Sequence, residues 1–427
     1  MLPGFLSFPS LTSTMQRQFR ERESCAFTGL PGEQLRNEAR PEPLPYVIEI
    51  PKMRERTQIL ELWRELENSG EPATLATVVR TEGSAYRLPG ARLLLGQSGR
   101  RAGSVSGGCL EDDLIKKAWW LTAGGPILRK YDTTAGGEIA TDGFGMGCNG
   151  IIHVLVERLT ASNPSVLPLL RAVKASRRPA TVAHLLSPSS LVGRRLTVDP
   201  DGQVQSNLED SALGDVLLSE AQGSDGSKQV RIPPDMEVFL ERITPPVHLL
   251  IFGAGDDAVP LAHLAKYLGW QVSVFDGRAH YARVDKFPAA DRVEIRPAGS
   301  PAPAIDPWTV AVVMTHSYSQ DLDVLRSLAV EPLRYLGVLG PRKRAAQLLA
   351  EANLAEGVPA AALHSPMGLD IGADGPEQVA LAVLSEIQAV LNGRTGGFLR
   401  DRARPIHGGG CQPRRRVGSF GNLRLVW

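Results

Sequence analysis

The chain has 427 residues, too many for one ordinary compact domain, and its 43% hydrophobic and 22% charged residues suit a soluble globular protein. A formal net charge of +1 excludes the global electrostatic footprint of a nucleic-acid or membrane-surface binder. The four cysteines, Cys25, Cys109, Cys148 and Cys411, include no CxxC pair, which argues against a disulfide scaffold or a paired-ligand zinc site and for a cytoplasmic protein.

Residues 1–48 are rich in arginine, glutamate, proline and glycine and read as a flexible extension, with Cys25 incidental. No segment sustains the roughly 20 apolar residues that cross a bilayer. From 57 to 70, Ile59, Leu60, Trp63 and Leu66 recur at helical spacing. ATLATVVRT and ARLLLG follow as buried strands. GSVSGGCLEDDL, residues 103–114, then turns into a helix in which one or both of Trp119 and Trp120 pack, with no functional role required. GFGMGCNG (143–150) leads into IIHVLVERL, an apolar, β-branched strand, with His153 a satisfied core or half-core residue. TVAHLL, RRLTVDPDG and MEVFLERI add strands, whereas residues 210–229 read as a polar, turn-rich excursion. Pro245 and Pro246 mark the exit from a mixed α+β domain over 49–245.

Residues 248–276 read as strand, glycine turn, helix and second strand, the order of a βαβ unit. WTVAVVMTH and LRYLGVLG supply later strands, and 376–393 forms an amphipathic helix with Pro376 near its start. The expectation is a Rossmann-like domain with a mostly parallel sheet over 246–396, followed by a flexible tail over 397–427 that carries Cys411.

Three stretches can carry chemistry. Ser104, Ser106, Gly107, Gly108 and Cys109 form a small-residue turn at a helix start. Such a turn can cradle an anion or hold a thiol partly ionised, and equally can bury a small inert thiol. Cys148, among Gly143, Gly145, Gly147 and Gly150, offers a second thiolate, so that Cys109 and Cys148 suit a soft metal or sulfur chemistry if they meet. Gly253, Gly255 and Ala258 make a G-x-G-x-x-A turn, with Asp276 placed to receive a ribose diol. Asp256 and Asp257 oppose a phosphate there. His316, at a strand end, can face a ligand crevice with Asp321 or Asp323 as partner, or those acids can cap the next helix. Arg342, Lys343 and Arg344 either meet a phosphate beside that crevice or form a solvated helix start.

Together VVRTEGSAYRLPGARLLL, GSVSGGCLEDDL, GFGMGCNGIIHVLVE, the 248–278 βαβ stretch, VVMTHSYSQDLDVL, YLGVLGPRKRAAQLL and SPMGLDIGADGPEQVALAVLSEI resemble the XdhC/CoxI family, accessory proteins of molybdenum hydroxylases, over about 50–395. The resemblance implies a molybdenum cofactor (molybdopterin) chaperone that protects the cofactor during sulfuration and assists its insertion into a xanthine dehydrogenase-like hydroxylase. It implies the Cys109 turn as the handling site with Cys148 second, a separate cysteine desulfurase as sulfur source, and a homodimer. Two other classes stay open on the residues: an NAD(P)-dependent oxidoreductase, motivated by GAGDDA and Asp276, and a noncatalytic assembly scaffold.

Overall fold

A computed structural model describes residues 53–133, 150–160, 165–328, 331–352 and 362–402. The 1–48 extension, Cys25, Cys148, Cys411 and residues 403–427 lie outside the described residues. Helix α1 (Met53–Ser69) buries Ile59, Leu62, Trp63 and Leu66 on one face, as its i, i+3, i+4, i+7 spacing requires. There follow β1 (Ala73–Gly83), β2 (Arg92–Gly96), β3 (Arg101–Gly103), α2 (Cys109–Leu121), β4 (Ile127–Asp132) and β5 (Gly150–Arg158). These strands form an antiparallel sheet of order β3-β2-β1-β5-β4.

Helix α3 (Leu167–Ser176) leads to β6 (Ala180–Leu185), β7 (Arg195–Val198), β8 (Val204–Ser206), α4 (Ser211–Gln222), β9 (Lys228–Ile232) and β10 (Met236–Ile243). A second antiparallel sheet has the order β8-β7-β6-β10-β9. Residues 210–229 are therefore no excursion. Asp210 caps α4 by accepting from the Ala212 and Leu213 amides at 2.9 and 3.2 Å, and Leu213, Leu217 and Ala221 bury an i, i+4, i+8 stripe. That stripe packs with Leu185, Leu196 and Leu240, and full burial of Leu217 alone contributes about 2 kcal/mol. Gly214 and the flanking polar residues hide the pattern in the sequence.

Apolar and charged contacts join the sheets. Helices α1 and α3 place Leu66 and Leu170 in one cluster with Leu75 and Leu94 of the first sheet and Val182 and Ile243 of the second. Buried charges cross as well: Arg92 of β2 meets Glu241 of β10 at 2.5 Å, and Glu157 of β5 pairs with Arg195 of β7.

The rest of the chain builds β11 (His248–Phe252), α5 (Ala258–Tyr267), β12 (Gln271–Asp276), β13 (Arg292–Ile295), β14 (Thr309–Val313), α6 (Tyr318–Leu328), β15 (Leu336–Val338), α7 (Arg342–Glu351), β16 (Leu363–His364) and α8 (Pro376–Leu391). The strands pair in parallel in the order β13-β12-β11-β14-β15-β16, the doubly wound arrangement of a Rossmann fold. Alternate residues of one strand serve opposite layers. Leu249 and Ile251 pack toward α5 and α8, whereas Leu250 and Phe252 pack toward α6 and α7. Strand order reverses between β11 and β14, so the loops after Phe252 and Val313 border the crevice where this architecture binds ligands.

Arg177, just past α3 with φ +55°, reaches the opposite end of the parallel sheet. Its guanidinium meets Asp306 at 2.5 and 3.1 Å, Gln271 at 2.9 Å and the Pro246 carbonyl at 3.1 Å. Burial, and then the Arg177 charge, push the nearby His248 imidazole from 6.5 down to about 4. The unfolded chain then binds more protons between those values, so this contribution is full above about pH 6.5 and lost as pH falls toward about 4. The urea midpoint is expected to drop over that window, and His248→Gln to reduce the slope; an unchanged slope in the variant would contradict the assignment.

Candidate functional site

The first candidate site is the 103–109 turn. Gly108 has φ +125°, a conformation that a side chain disfavours, and α2 starts at the next residue, Cys109. Gly108 has no side chain with which to cap the helix. Ser106 does so instead, its hydroxyl accepting from the Gly108 and Leu110 amides at 3.1 Å each. Glu111, in the first turn of α2, folds back over the loop. One carboxylate oxygen accepts from the Val105 and Ser106 amides at 2.8 Å, and the other from Gly108 at 3.0 Å and from the Ser106 hydroxyl. Burial raises the Glu111 carboxyl, but the Ser106 hydroxyl and the loop amides outweigh it and hold it below the ordinary value.

This lock changes the chemistry the turn can do. The amides of Val105, Ser106, Gly108 and Leu110, which in the sequence suggest an anion cradle, are taken by side chains of the turn itself. What remains is a rigid mount that fixes where Cys109 leaves the loop. The Ser104 amide is held separately by Glu55 at 2.9 Å, and Glu55 also pairs with Arg87. Tyr86, 64% exposed, stands against Gly107 from the neighbouring 84–90 loop. At its far end α2 is fixed by Arg158, which lies over the Trp119 ring at 5.3 Å and donates to Thr122 at 3.0 Å, while Trp120 stays exposed.

Cys148, like the side chain of Cys109, lies outside what the structure describes. The described flanks of its segment are joined: the Thr133 hydroxyl donates to the Gly150 carbonyl at 2.6 Å and accepts from its amide at 3.2 Å. Gly150 pairs with Gly83 at the end of β1, from which the Tyr86 loop departs. His153 is half-buried, with Nε2 3.2 Å from Glu82, and burial lowers its pKa. Among the described residues, no group of three or more histidine, cysteine, aspartate or glutamate side chains is placed to hold a metal ion.

The second candidate site is the crevice of the parallel sheet. Gly253 has φ +122°, and a Cβ there would stand 2.3 Å from the Met314 carbonyl, so only glycine lets β11 pass β14 at this point. Asp276 ends β12 and is buried. It accepts from the Ala254 amide at 2.9 Å, from the Arg278 amide at 2.9 Å and from two guanidinium nitrogens of Arg278 at 2.9 and 2.8 Å. Burial raises its carboxyl, but the Arg278 and Ala254 donors leave it below the ordinary value. The oxygens that a ribose diol would need are thus engaged within the chain.

The two acids of the glycine turn each have a basic partner. Lys286 pairs with Asp256 at 2.8 Å and also donates to the Ala254 carbonyl at 2.8 Å. His316 Nε2 meets Asp257 at 2.7 Å. The sequence offers Asp321 or Asp323 as its partner; the structure gives Asp257 instead, because Asp321 is fully buried and bound to Thr315 and Arg344. His316 itself has φ +59°, a strain of about 1–3 kcal/mol in a residue other than glycine. The basic triplet divides: Arg344 turns in to Asp321 at 2.7 Å, whereas Arg342 and Lys343 remain exposed at the start of α7. Sequence reasoning missed Glu111, Arg278, Lys286 and Asp257 as organising groups. For Glu111 the signal was present, as an acid three residues after an N-cap position.

Two antiparallel sheets bearing a locked glycine–cysteine turn, followed by a doubly wound parallel sheet, correspond to two known family descriptions. Residues 66–132 match the "XdhC and CoxI family" and residues 249–387 match the "XdhC Rossmann domain"; the chain belongs to the XdhC/CoxI family. It is 34% identical over 329 residues to a probable xanthine dehydrogenase subunit of Bacillus subtilis (strain 168), across 74% of this chain and 92% of that protein. Over 335 residues it is 26% identical to the molybdenum cofactor insertion chaperone PaoD of Escherichia coli (strain K12), across 78% of this chain and 87% of that one. The crystal structure of a xanthine dehydrogenase from Bacillus halodurans superposes with a TM-score of 0.67 at 28% identity, covering 79% of this chain and 96% of that chain. Among the described residues, no helix is long and apolar enough to cross a membrane.

Proposed function

We propose that this protein is an accessory chaperone that holds molybdenum cofactor for a xanthine dehydrogenase-like molybdenum hydroxylase. The observation that carries the reading is the Glu111–Ser106 lock, which mounts Cys109 at a fixed helix start in a family whose relatives include a named cofactor insertion chaperone. In this reading residues 49–245 handle the cofactor: Cys109, mounted by the Ser104, Ser106, Gly107 and Gly108 turn, is the first contact and Cys148 the second thiol, both soft ligands for molybdenum. The chain works in the cytoplasm, where thiols stay reduced, as a homodimer. It guards the cofactor while a separate cysteine desulfurase supplies sulfur, then passes it to the hydroxylase. The Rossmann-like part, residues 246–396, contributes Gly253, Gly255 and His316 to a ligand crevice whose floor Asp276 braces through Ala254 and Arg278. A nicotinamide-dependent oxidoreductase draws less support, because Asp276 is saturated by Arg278 and Ala254.

Anaerobic incubation with mature cofactor, followed by gel filtration and joint quantitation of molybdenum and pterin, tests the reading. Wild type is expected to retain both near one per chain, Cys109→Ala to lose about tenfold or more in retention, and Cys148→Ala to lose less. Folded wild type that retains neither would turn the assignment toward an assembly scaffold.

A further inference from the structure

A second site lies beyond the cofactor-handling turn. The ends of β14 and β15 border an open cavity of about 210 Å³ lined by Met314, His316, Leu339, Gly340, Pro341 and Arg344. We propose that this cavity binds a phosphate monoester, with the phosphoryl group held between His316 and Arg344. A cavity of this volume falls below the roughly 300–1,000 Å³ of sites for drug-sized ligands, so it admits one head group rather than a dinucleotide.

The polar groups converge from separate elements. His316 follows β14 and stands 59% exposed, its ring fixed by the bond from Nε2 to Asp257, which in the neutral ring leaves Nδ1 to accept the O–H of a singly protonated phosphoryl group. Its left-handed backbone is pinned from the preceding residue, since the Thr315 amide and hydroxyl both bind Asp321, at 3.2 and 2.6 Å. An imidazole held in the left-handed region at a conformational cost belongs to the class of outliers that cluster at ligand sites. Arg344 reaches the cavity from α7 and donates to the Leu339 carbonyl at 3.3 Å and to Asp321 at 2.7 Å. Those bonds occupy two of the five N–H donors a guanidinium carries, so it is oriented but not exhausted. Pro341, which precedes α7, offers that helix no side-chain cap. An imidazole after β14 and a guanidinium from α7, lining one cavity, give an oxyanion contacts from two directions. Met314, Leu339 and Pro341 give the organic arm of an ester an apolar wall.

The proposal rests on the crevice assigned above to His316 and not on the Cys109 turn, and titration calorimetry of the full chain in phosphate-free buffer separates the two. The probes are glycerol 3-phosphate, inorganic phosphate and acetate. One glycerol 3-phosphate per chain is expected to bind, more tightly than inorganic phosphate, with no binding of acetate. His316→Asn, whose side chain tolerates the left-handed backbone, and Arg344→Gln are each expected to weaken binding by about tenfold or more, as loss of a hydrogen bond to a charged group does. Cys109→Ala is expected to leave it unchanged. Wild type that binds no glycerol 3-phosphate, His316→Asn that binds it as wild type does, or loss in Cys109→Ala would each overturn the proposal. Equal or tighter binding of inorganic phosphate would overturn the ester, and equal binding of acetate would overturn the phosphoryl assignment.

Discussion

Glu241→Gln is expected to lower the stability of the paired antiparallel sheets by about 3–5 kcal/mol, the cost of leaving one member of a buried ion pair without its counter-charge. Arg92, Glu241 and His184 are each at most 2% exposed, and one Glu241 oxygen takes both Arg92 at 2.5 Å and His184 at 3.2 Å. Burial raises the Glu241 carboxyl and lowers the His184 imidazole. For Glu241, the Arg92 charge and the His184 bond reverse the sign and hold it well below the carboxylate range. A depressed carboxyl contributes stability above its unfolded value and loses it as pH falls through the folded one, so the pair adds to acid sensitivity. Urea unfolding measures the loss, and hydrogen exchange in β2 and β10 locates it. The double variant Arg92→Met, Glu241→Leu is expected to recover most of it, since an apolar pair of similar volume replaces a desolvated ionic one. A single variant within about 1 kcal/mol of wild type would mean that water reaches the pair.

That network also shows where the sequence runs out. Arg92, Glu157, Arg195 and Glu241 lie in strands, where a charged residue reads as solvent-facing. Each instead points inward and meets its opposite charge on the facing sheet, 149 residues away for Arg92 and Glu241 and 38 for Glu157 and Arg195. No local pattern encodes such a partner. The βαβ unit was legible for the opposite reason: its glycine turn, helix and flanking strands are all local, and the chain from His248 to Asp276 carries them in order. Helix α4 was lost because Gly214 and four serines or aspartates within 210–219 outweigh a stripe of only three buried positions. At the crevice, its place at a strand end marks His316, but the partners its sequence neighbours offer are Asp321 and Asp323. Asp257 is 59 positions away and comes into reach only because β11 and β14 are neighbours in the sheet.

The 103–109 turn is legible as a turn, and the spacing marks Glu111 as an N3 acid without showing that it also holds the Val105 and Ser106 amides. An acid in the first turn of a helix ordinarily gains a few tenths of a kcal/mol from the helix dipole and needs no further role. Here Glu111 is 6% exposed and binds three amides and a hydroxyl. Glu111→Gln keeps the shape but places an NH2 group on one side, where the Gly108 amide also donates, so one of two facing donors goes unpaired. The expected cost is about 1–3 kcal/mol, felt locally as faster hydrogen exchange at Val105, Ser106, Gly108 and Leu110. Because the carboxyl is depressed, the lock is full above its unfolded value and weakens as pH falls through the folded one; the variant should lose that acid dependence. If the turn serves to mount Cys109, loosening it must also weaken cofactor retention although every thiol is still present. A loss of about tenfold in Glu111→Gln, with the parallel sheet unaffected in exchange, is the expected outcome. Faster exchange at those four amides with unchanged retention would show that the lock stabilises the helix start and that the cofactor is held elsewhere.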